Sequence, residues 1–401
     1  MTPFLLATSR FEQVAGLSEI LRWLALAMGC AFAFNMGFYR AGRRPGHLVA
    51  ADRWMLAFLG LFLVSGMWSI APVYTVLRAV SLVLLYGCSM WTLWSYADFF
   101  SEERLVSQVL KVLAIVLAIN LVVGGLMFSE ELAGQRFQGF FHNPNNIGIL
   151  VGVALPVAVG RWLRSRARWD MVVAAVLGAN LVACGTRSAL LGVVVACVVF
   201  FVPLAARRTT WAWILAVAAV TGGGAASQTD FFKERVLRVE SLGSGSTRTE
   251  FWEMGRNYTD KRPWLGHGFA TDRVIHEHYG VSLFDLRLRG YGVMSAYYGL
   301  TVQLGRPLAY LFFGLLWGFT GWCLIVWWYR DFNLVIYAGT LISGLVVCIF
   351  ESSIYSAGNC FAFLFWMIFM LAVRRVHYRR ERIPMNSGGG LASWGGSRVK
   401  E

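Results

Sequence analysis

Residues 105–128 read LVSQVLKVLAIVLAINLVVGGLMF. The run is almost continuously apolar and long enough to cross a bilayer, which takes about 20 residues in a helix. It is not alone. The chain has 401 residues, 57% hydrophobic and only 14% charged, against about 25% charged in soluble domains. Similar runs recur from end to end, so the sequence predicts a polytopic membrane protein. Only helices and closed barrels satisfy their backbone inside lipid. Barrel strands are about 10 residues of alternating polarity, whereas these runs are longer and continuous. The expected fold is therefore all-α.

Working outward from 105–128, the earlier runs cover about 17–38, 54–70 and 74–97, and the later ones 147–160, 171–184, 189–204, 211–225, 307–328, 334–350 and 358–373. This predicts a helix bundle of about eleven spans (ten to twelve). Pro156, inside the fifth run, should kink it. Basic residues cluster in alternate connections: Arg40, Arg43, Arg44 and Arg53; Arg161 to Arg168; Arg207 and Arg208; Arg330; and Arg374 to Arg382. With eleven spans all of these fall on one side, which the positive-inside pattern makes cytoplasmic. The net charge of +14 is thus a topology signal, and no nucleic-acid partner is implied. The first 16 residues are too polar for a secretory signal, with no clear cleavage site. The seven cysteines (Cys30, Cys88, Cys184, Cys197, Cys323, Cys348, Cys360) all lie in apolar runs, so neither a disulfide framework nor a thiolate metal site is expected.

One long stretch breaks the pattern. Residues 226–306 hold eleven Lys/Arg, nine Asp/Glu and three of the six histidines, His267, His276 and His278. The alternation puts this segment on the extracytoplasmic side, between spans eight and nine. The chain therefore divides into N-terminal spans (1–225), a large periplasmic loop (226–306), C-terminal spans (307–375) and a basic, Gly/Ser-rich cytoplasmic tail (376–401). Long loops of this kind are functional or disordered, and a substrate-handling lid is the functional alternative.

Several arginines fall on the outer side against the charge rule: Arg78, Arg136, Arg187, Arg248, Arg256 and Arg262. Charges at or near the membrane are costly and mark functional sites, although Arg78 could simply snorkel and Arg187 could cap a helix. Guanidinium groups bind phosphate in a forked geometry and stay charged. The helix start after Ser188 could add backbone N–H groups. A phosphate on that face is most simply a lipid phosphate or lipid pyrophosphate. His276, His278, Glu250 and Glu351 are the candidates for a general base. His142, Asn143 and Asn145 could cap the fifth helix or serve the site. The His276-Glu277-His278 run with His267 has no tight ligand spacing, and no metal or other cofactor is expected.

Several motifs, in order, carry a resemblance. They are Trp68-Ser69-Ile70-Ala71-Pro72 followed by Arg78; Gly139-Phe140-Phe141-His142-Asn143-Pro144-Asn145-Asn146-Ile147-Gly148; Gly185-Thr186-Arg187-Ser188-Ala189; Ser246-Thr247-Arg248-Thr249-Glu250-Phe251-Trp252; Arg262-Pro263-Trp264-Leu265-Gly266-His267-Gly268-Phe269; and Glu351-Ser352-Ser353-Ile354. Together they resemble the O-antigen ligase and polymerase family, the Wzy-like and exopolysaccharide-polymerase superfamily, over roughly residues 54–375. The resemblance implies a multi-span enzyme of the bacterial inner membrane with its active site facing the periplasm. It implies a polyprenyl-pyrophosphate-linked oligosaccharide as donor and an acceptor glycan or lipid A-core as acceptor. A chain-length regulator or flippase would be a further partner. It assigns the pyrophosphate to Arg187 and Arg248, with Arg78, Arg136 and Arg262 as further candidates. One departure is clear. Where family members carry a His-Asn pair before the span that follows the loop, this chain reads Met294-Ser295-Ala296-Tyr297-Tyr298. The reading that follows is a polysaccharide polymerase, with an O-antigen ligase as the nearest alternative. A transporter of lipid-linked glycans is the alternative from another class.

Overall fold

A computed structural model describes residues 9–39, 50–129, 136–207, 247–280, 292–327, 330–356 and 358–381. It is all-helical, and among the described residues the only β pairing is an isolated bridge between Ser9 and Phe141. In chain order the helices are α1 (Glu12–Tyr39), α2 (Ala50–Val64), α3 (Pro72–Phe99), α4 (Glu102–Ile119), α5 (Pro144–Ser165), α6 (Arg168–Cys184), α7 (Arg187–Arg207), α8 (Thr247–Lys261), α9 (Ile275–His278), α10 (Ala296–Leu304), α11 (Arg306–Trp327), α12 (Phe332–Val347) and α13 (Cys360–Glu381). Helix α4 continues through a π-helical turn at Asn120–Gly124.

Local signals account for most of the boundaries. Ser101 caps α4 by accepting the Arg104 N–H at 3.1 Å, and Glu102 and Glu103 complement the dipole of its first turn. Asn143 caps α5, with Pro144 at its first position. Asp331 caps α12 through the N–H groups of Asn333 and Leu334. Gly185, in the left-handed region at φ 57°, ends α6. Helix α5 runs unbroken through Pro156 to Ser165, beyond the end expected from its apolar run.

Ten of the eleven apolar runs coincide with helices; the run at 211–225 lies outside the described residues, as does most of the basic C-terminal tail. Six helices are long and apolar enough to cross a membrane, and three more apolar ones are shorter. The difference from eleven has a physical cause. Helix α12, with 16 residues, reaches only about 24 Å at 1.5 Å per residue, short of the roughly 30 Å hydrocarbon layer. It is enclosed by other helices, so lipid does not set its length.

The centre of the bundle is α5, α7, α12 and α13. Phe361, Phe365 and Phe369 of α13 are fully buried. Helices α7 and α12 touch at backbone distance: a Cβ on Gly192 would lie 2.8 Å from the Ser343 carbonyl oxygen. The Ser343 hydroxyl in turn donates to the Gly152 carbonyl of α5 at 2.6 Å. Small residues and a buried hydroxyl replace the hydrophobic drive that helices lack in lipid.

The two ends of the bundle differ. At one end Arg374 pairs with Asp98 (2.6 Å) and Glu102 (3.3 Å), and Arg375 with Glu102 (3.0 Å) and Asp331 (2.6 Å). The Tyr337 hydroxyl donates to Glu102 at 2.5 Å. The other end is covered by the described part of the 226–306 segment. In that described part α8, α9 and α10 fold into a cap with its own small core of Tyr258, Ile275, Val293 and Val302.

Candidate functional site

Under the cap, chain segments far apart in sequence end together. Helices α5 and α7 begin here, and α6 and α12 finish here. Arg136 ties three of these ends. Its Nε donates to the Cys184 carbonyl at 2.9 Å, and its Nη2 to Asn145 Oδ1 at 2.6 Å and to Thr186 Oγ1 at 3.0 Å. Asn145 is in the first turn of α5. Asn143, one residue before that helix, accepts the Asn145 N–H at 2.8 Å. The Gly185-Thr186 turn links α6 to α7, and Arg187, half-buried, opens α7. Two helix N-termini are thus held side by side, with their positive dipole ends at one place.

The cap adds a second guanidinium. Arg248, in the first turn of α8, donates through Nη2 to Glu351 Oε1 at 2.7 Å, and its Cζ lies 5.8 Å from the centre of the Phe350 ring. Glu351 stands in the connection between α12 and α13. Burial pushes its carboxyl above the usual carboxylate range, against the opposing pull of Arg248 and then Arg136. Both arginines therefore act on one carboxylate. Arg136, Arg248 and the nearby Arg187 thus stand around one carboxylate, Glu351.

The stretch Met294-Ser295-Ala296 runs along the same place. The Ala296 N–H donates to the Cys348 carbonyl at 2.9 Å, three residues before Glu351, and Trp252 Nε1 of α8 donates to the Met294 carbonyl at 3.4 Å. Met294 has φ 35°, a left-handed value rare for a non-glycine residue.

The cap histidines have different surroundings. His267 Nδ1 faces the Val302 carbonyl at 3.0 Å, and its Nε2 faces the Tyr279 hydroxyl at 2.9 Å. A carbonyl can only accept, so Nδ1 carries the proton and Nε2 accepts from the tyrosine. Burial holds this imidazole below its usual range, consistent with a neutral ring. His276, also buried, pairs its Nδ1 with the Tyr258 hydroxyl at 3.0 Å. Tyr258 and Tyr279 stack at 5.5 Å, and Lys261 Nζ lies 3.6 Å from the Tyr279 ring centre. His276 is thus part of the packing of the cap, while His278 is exposed at the edge of Tyr279.

Of the residues singled out from sequence, the structure gathers Arg136, Arg248, Glu351 and Asn145, with Asn143 and Arg187 next to them. It sets others apart. Glu250 is exposed, two residues beyond Arg248 on α8 and so on a different face. His142 is exposed ahead of α5. Arg262 reaches the Trp68 carbonyl at 3.4 Å on the rim of the cap. Arg78 is exposed on α3, its Cζ 5.1 Å from the Tyr74 ring centre. Thr186 was quoted only as part of a motif; its hydroxyl, taken by Arg136, makes it a member of the site. Among the described residues no three His, Cys, Asp or Glu side chains are grouped to hold a metal ion. Behind the 136–146 loop is an apolar cavity of about 310 Å³, lined by Phe11, Val14, Val116, Ile119, Phe140 and Phe141 among others.

Residues 171–288 match the family model described as O-antigen ligase. The match starts in α6 and runs through Arg187 and Arg248 into the cap. A search of curated proteins finds no match. The family match supports an O-antigen ligase/polymerase-like family and a membrane glycosyl-transfer function of that type. With the apolar helices it points to a multi-pass membrane protein acting on lipid-linked glycan and an acceptor.

Proposed function

We propose that this protein is a polysaccharide polymerase of the bacterial inner membrane, which transfers glycan from a polyprenyl-pyrophosphate donor to a hydroxyl of an acceptor glycan at the capped end of the bundle. The observation that carries this reading is the contact of Arg248 with Glu351 near Arg136, which ties the starts of α5 and α7, with Arg187 and Arg248 inside the matched region. The capped end is the periplasmic one in this reading, because Arg161, Arg164, Arg374 and Arg375 gather at the opposite end and basic ends face the cytoplasm.

The chemistry follows from charge. The acceptor oxygen attacks the anomeric carbon of the donor sugar as the bond from that carbon to the pyrophosphate oxygen breaks. The leaving lipid pyrophosphate gathers negative charge, which Arg136, Arg187 and Arg248 and the two helix N-termini stabilise. The guanidiniums carry this role in place of a metal. The acceptor proton goes to Glu351, whose carboxyl burial makes more basic than an exposed one. The apolar cavity behind the 136–146 loop offers room for the first isoprene units of the lipid. The cap acts as a lid and brings Arg248 to the donor.

A ligase would use the same site with lipid A-core as acceptor. The polymerase reading is preferred because the His-Asn pair is replaced at Met294-Ser295. Purified protein in proteoliposomes, given a lipid-pyrophosphate oligosaccharide with and without lipid A-core, separates the readings. Longer lipid-linked products are expected. Transfer only to lipid A-core identifies a ligase, and transbilayer movement without transfer identifies a transporter.

A further inference from the structure

One part of the cap has no place in this chemistry. The turn after α8 exposes Trp264 (74%) and Leu265 (53%), and the nearby turn after α2 exposes Met67 (86%). These side chains are not loose. Trp68 Nε1 donates to the Leu265 carbonyl at 2.8 Å, the Arg306 N–H donates to the Pro263 carbonyl at 2.8 Å, and the Ile70 N–H to the His267 carbonyl at 3.0 Å. The cap turn is therefore clamped between the residues just before α3 and the first residue of α11. Both are among the helices long and apolar enough to cross a membrane. If these two helices span the bilayer, their first turns fall at its boundary, and a segment fastened to both falls there too.

The apolar surface continues down the two helices. Val73 and Leu77 on α3 and Tyr310 and Leu311 on α11 are more than half exposed, as lipid-facing residues are. Lys261, Arg262 and Arg306 are exposed around the turn, Arg306 paired with Asp260. An indole and aliphatic side chains at the end of a span, rimmed by cations, match the chemistry of the headgroup layer: apolar surface below, phosphate above. In water, a contiguous apolar patch of this kind would be a liability.

We propose that the 263–265 turn, with Met67, is inserted in the headgroup layer of the leaflet at the capped end, and that phospholipid is what covers this patch. The anchor fixes one end of α8 to the membrane. The other end of the same helix carries Arg248 over Glu351, so the position of the cap above the arginine site is referred to the bilayer surface. This inference rests on the membrane spans and the cap, and stands independently of the proposed transfer reaction.

The test uses the full chain in vesicles of phosphatidylethanolamine and phosphatidylglycerol. A benzophenone-bearing amino acid replaces Trp264 in one variant, Leu265 in a second and Leu77 in a third as the lipid-facing reference. After irradiation, intact mass is measured. The expected result is a mass gain of one phospholipid at 264 or 265, with a yield comparable to that at 77. Absence of lipid adducts at both cap positions while position 77 forms them overturns the proposal. So does a cross-link from 264 or 265 to a second copy of the chain. Use of two adjacent positions keeps the result readable if one variant fails to fold.

Discussion

Arg248 Nη2 lies 2.7 Å from Glu351 Oε1, and this contact joins the first turn of the cap helix α8 to the connection between α12 and α13, 103 positions away in sequence. Both side chains are partly shielded, at 26% and 18% exposure. The pair is the main polar link between the cap and the bundle at the candidate site. It also balances charge there, one guanidinium against one carboxylate.

Replacement of the arginines tests the anion site. Loss of one preorganised charge from such a site typically costs about 10²–10³ in rate. Arg248→Ala and Arg187→Ala should each lower transfer from a lipid-pyrophosphate donor by about that factor, with unchanged protein level. Arg248→Lys should recover only part of the loss, because an ammonium cannot reproduce the fork. Unaltered glycan output from either alanine variant would remove the proposed site.

Glu351 makes a prediction about pH. Burial raises its pKa above the ordinary glutamate value, so the group protonates at higher pH than an exposed glutamate. As a base it works only when ionised. The rate should therefore fall as pH is lowered, on an acid limb that begins above the ordinary carboxylate range. Glu351→Gln should lose that limb along with most of the rate, by about 10²-fold or more. A pH–rate profile of the two proteins side by side decides this; an unchanged limb in the glutamine variant would move the base elsewhere.

His267 makes the opposite kind of prediction, about stability. Its folded-state pKa is below the ordinary histidine value of about 6.5, so its contribution is fully present above about pH 6.5 and is lost as pH falls through the lower, folded value. The cap should loosen on acidification in that window. Tyr279→Phe removes the hydroxyl that His267 Nε2 accepts from and should cost about 1–3 kcal/mol. Hydrogen exchange of the cap amides at pH 7.5 and pH 5.5 measures both effects, and a cap equally protected at the two values would contradict the neutral ring.

The bundle centre gives a packing test. A methyl group on Gly192 would meet the backbone of Ser343 at 2.8 Å, and backbone cannot swing aside as a side chain can. Gly192→Ala should force α7 and α12 apart and lower stability by about 1–3 kcal/mol. Gly178, on the open side of α6 with nothing near it, is the matched control. Thermal unfolding in detergent of the two alanine variants should show a clear drop for the first and little change for the second.

Much of this protein was legible without coordinates. The apolar runs predicted helices because a backbone in lipid must bond to itself, and runs of about 20 residues can do so only as helices. The helix start at Asn143 follows from a side chain that serves the first free N–H groups. The motifs around Arg187, Arg248 and Glu351 were also visible as strings. What they could not show was which of them meet. The candidate bases looked alike in sequence, yet His276 is enclosed with Tyr258 in the cap while Glu351 faces Arg248. Arg136, one outer arginine among several, turned out to hold Asn145 and Thr186 together. Periodicity and caps are local, so the sequence by itself determined where helices begin and end and that they belong in a membrane. The meeting of Arg248 with Glu351, and of Arg136 with Asn145 and Thr186, is made by helix ends brought together through close packing of α5, α7 and α12, and only the tertiary structure decided it.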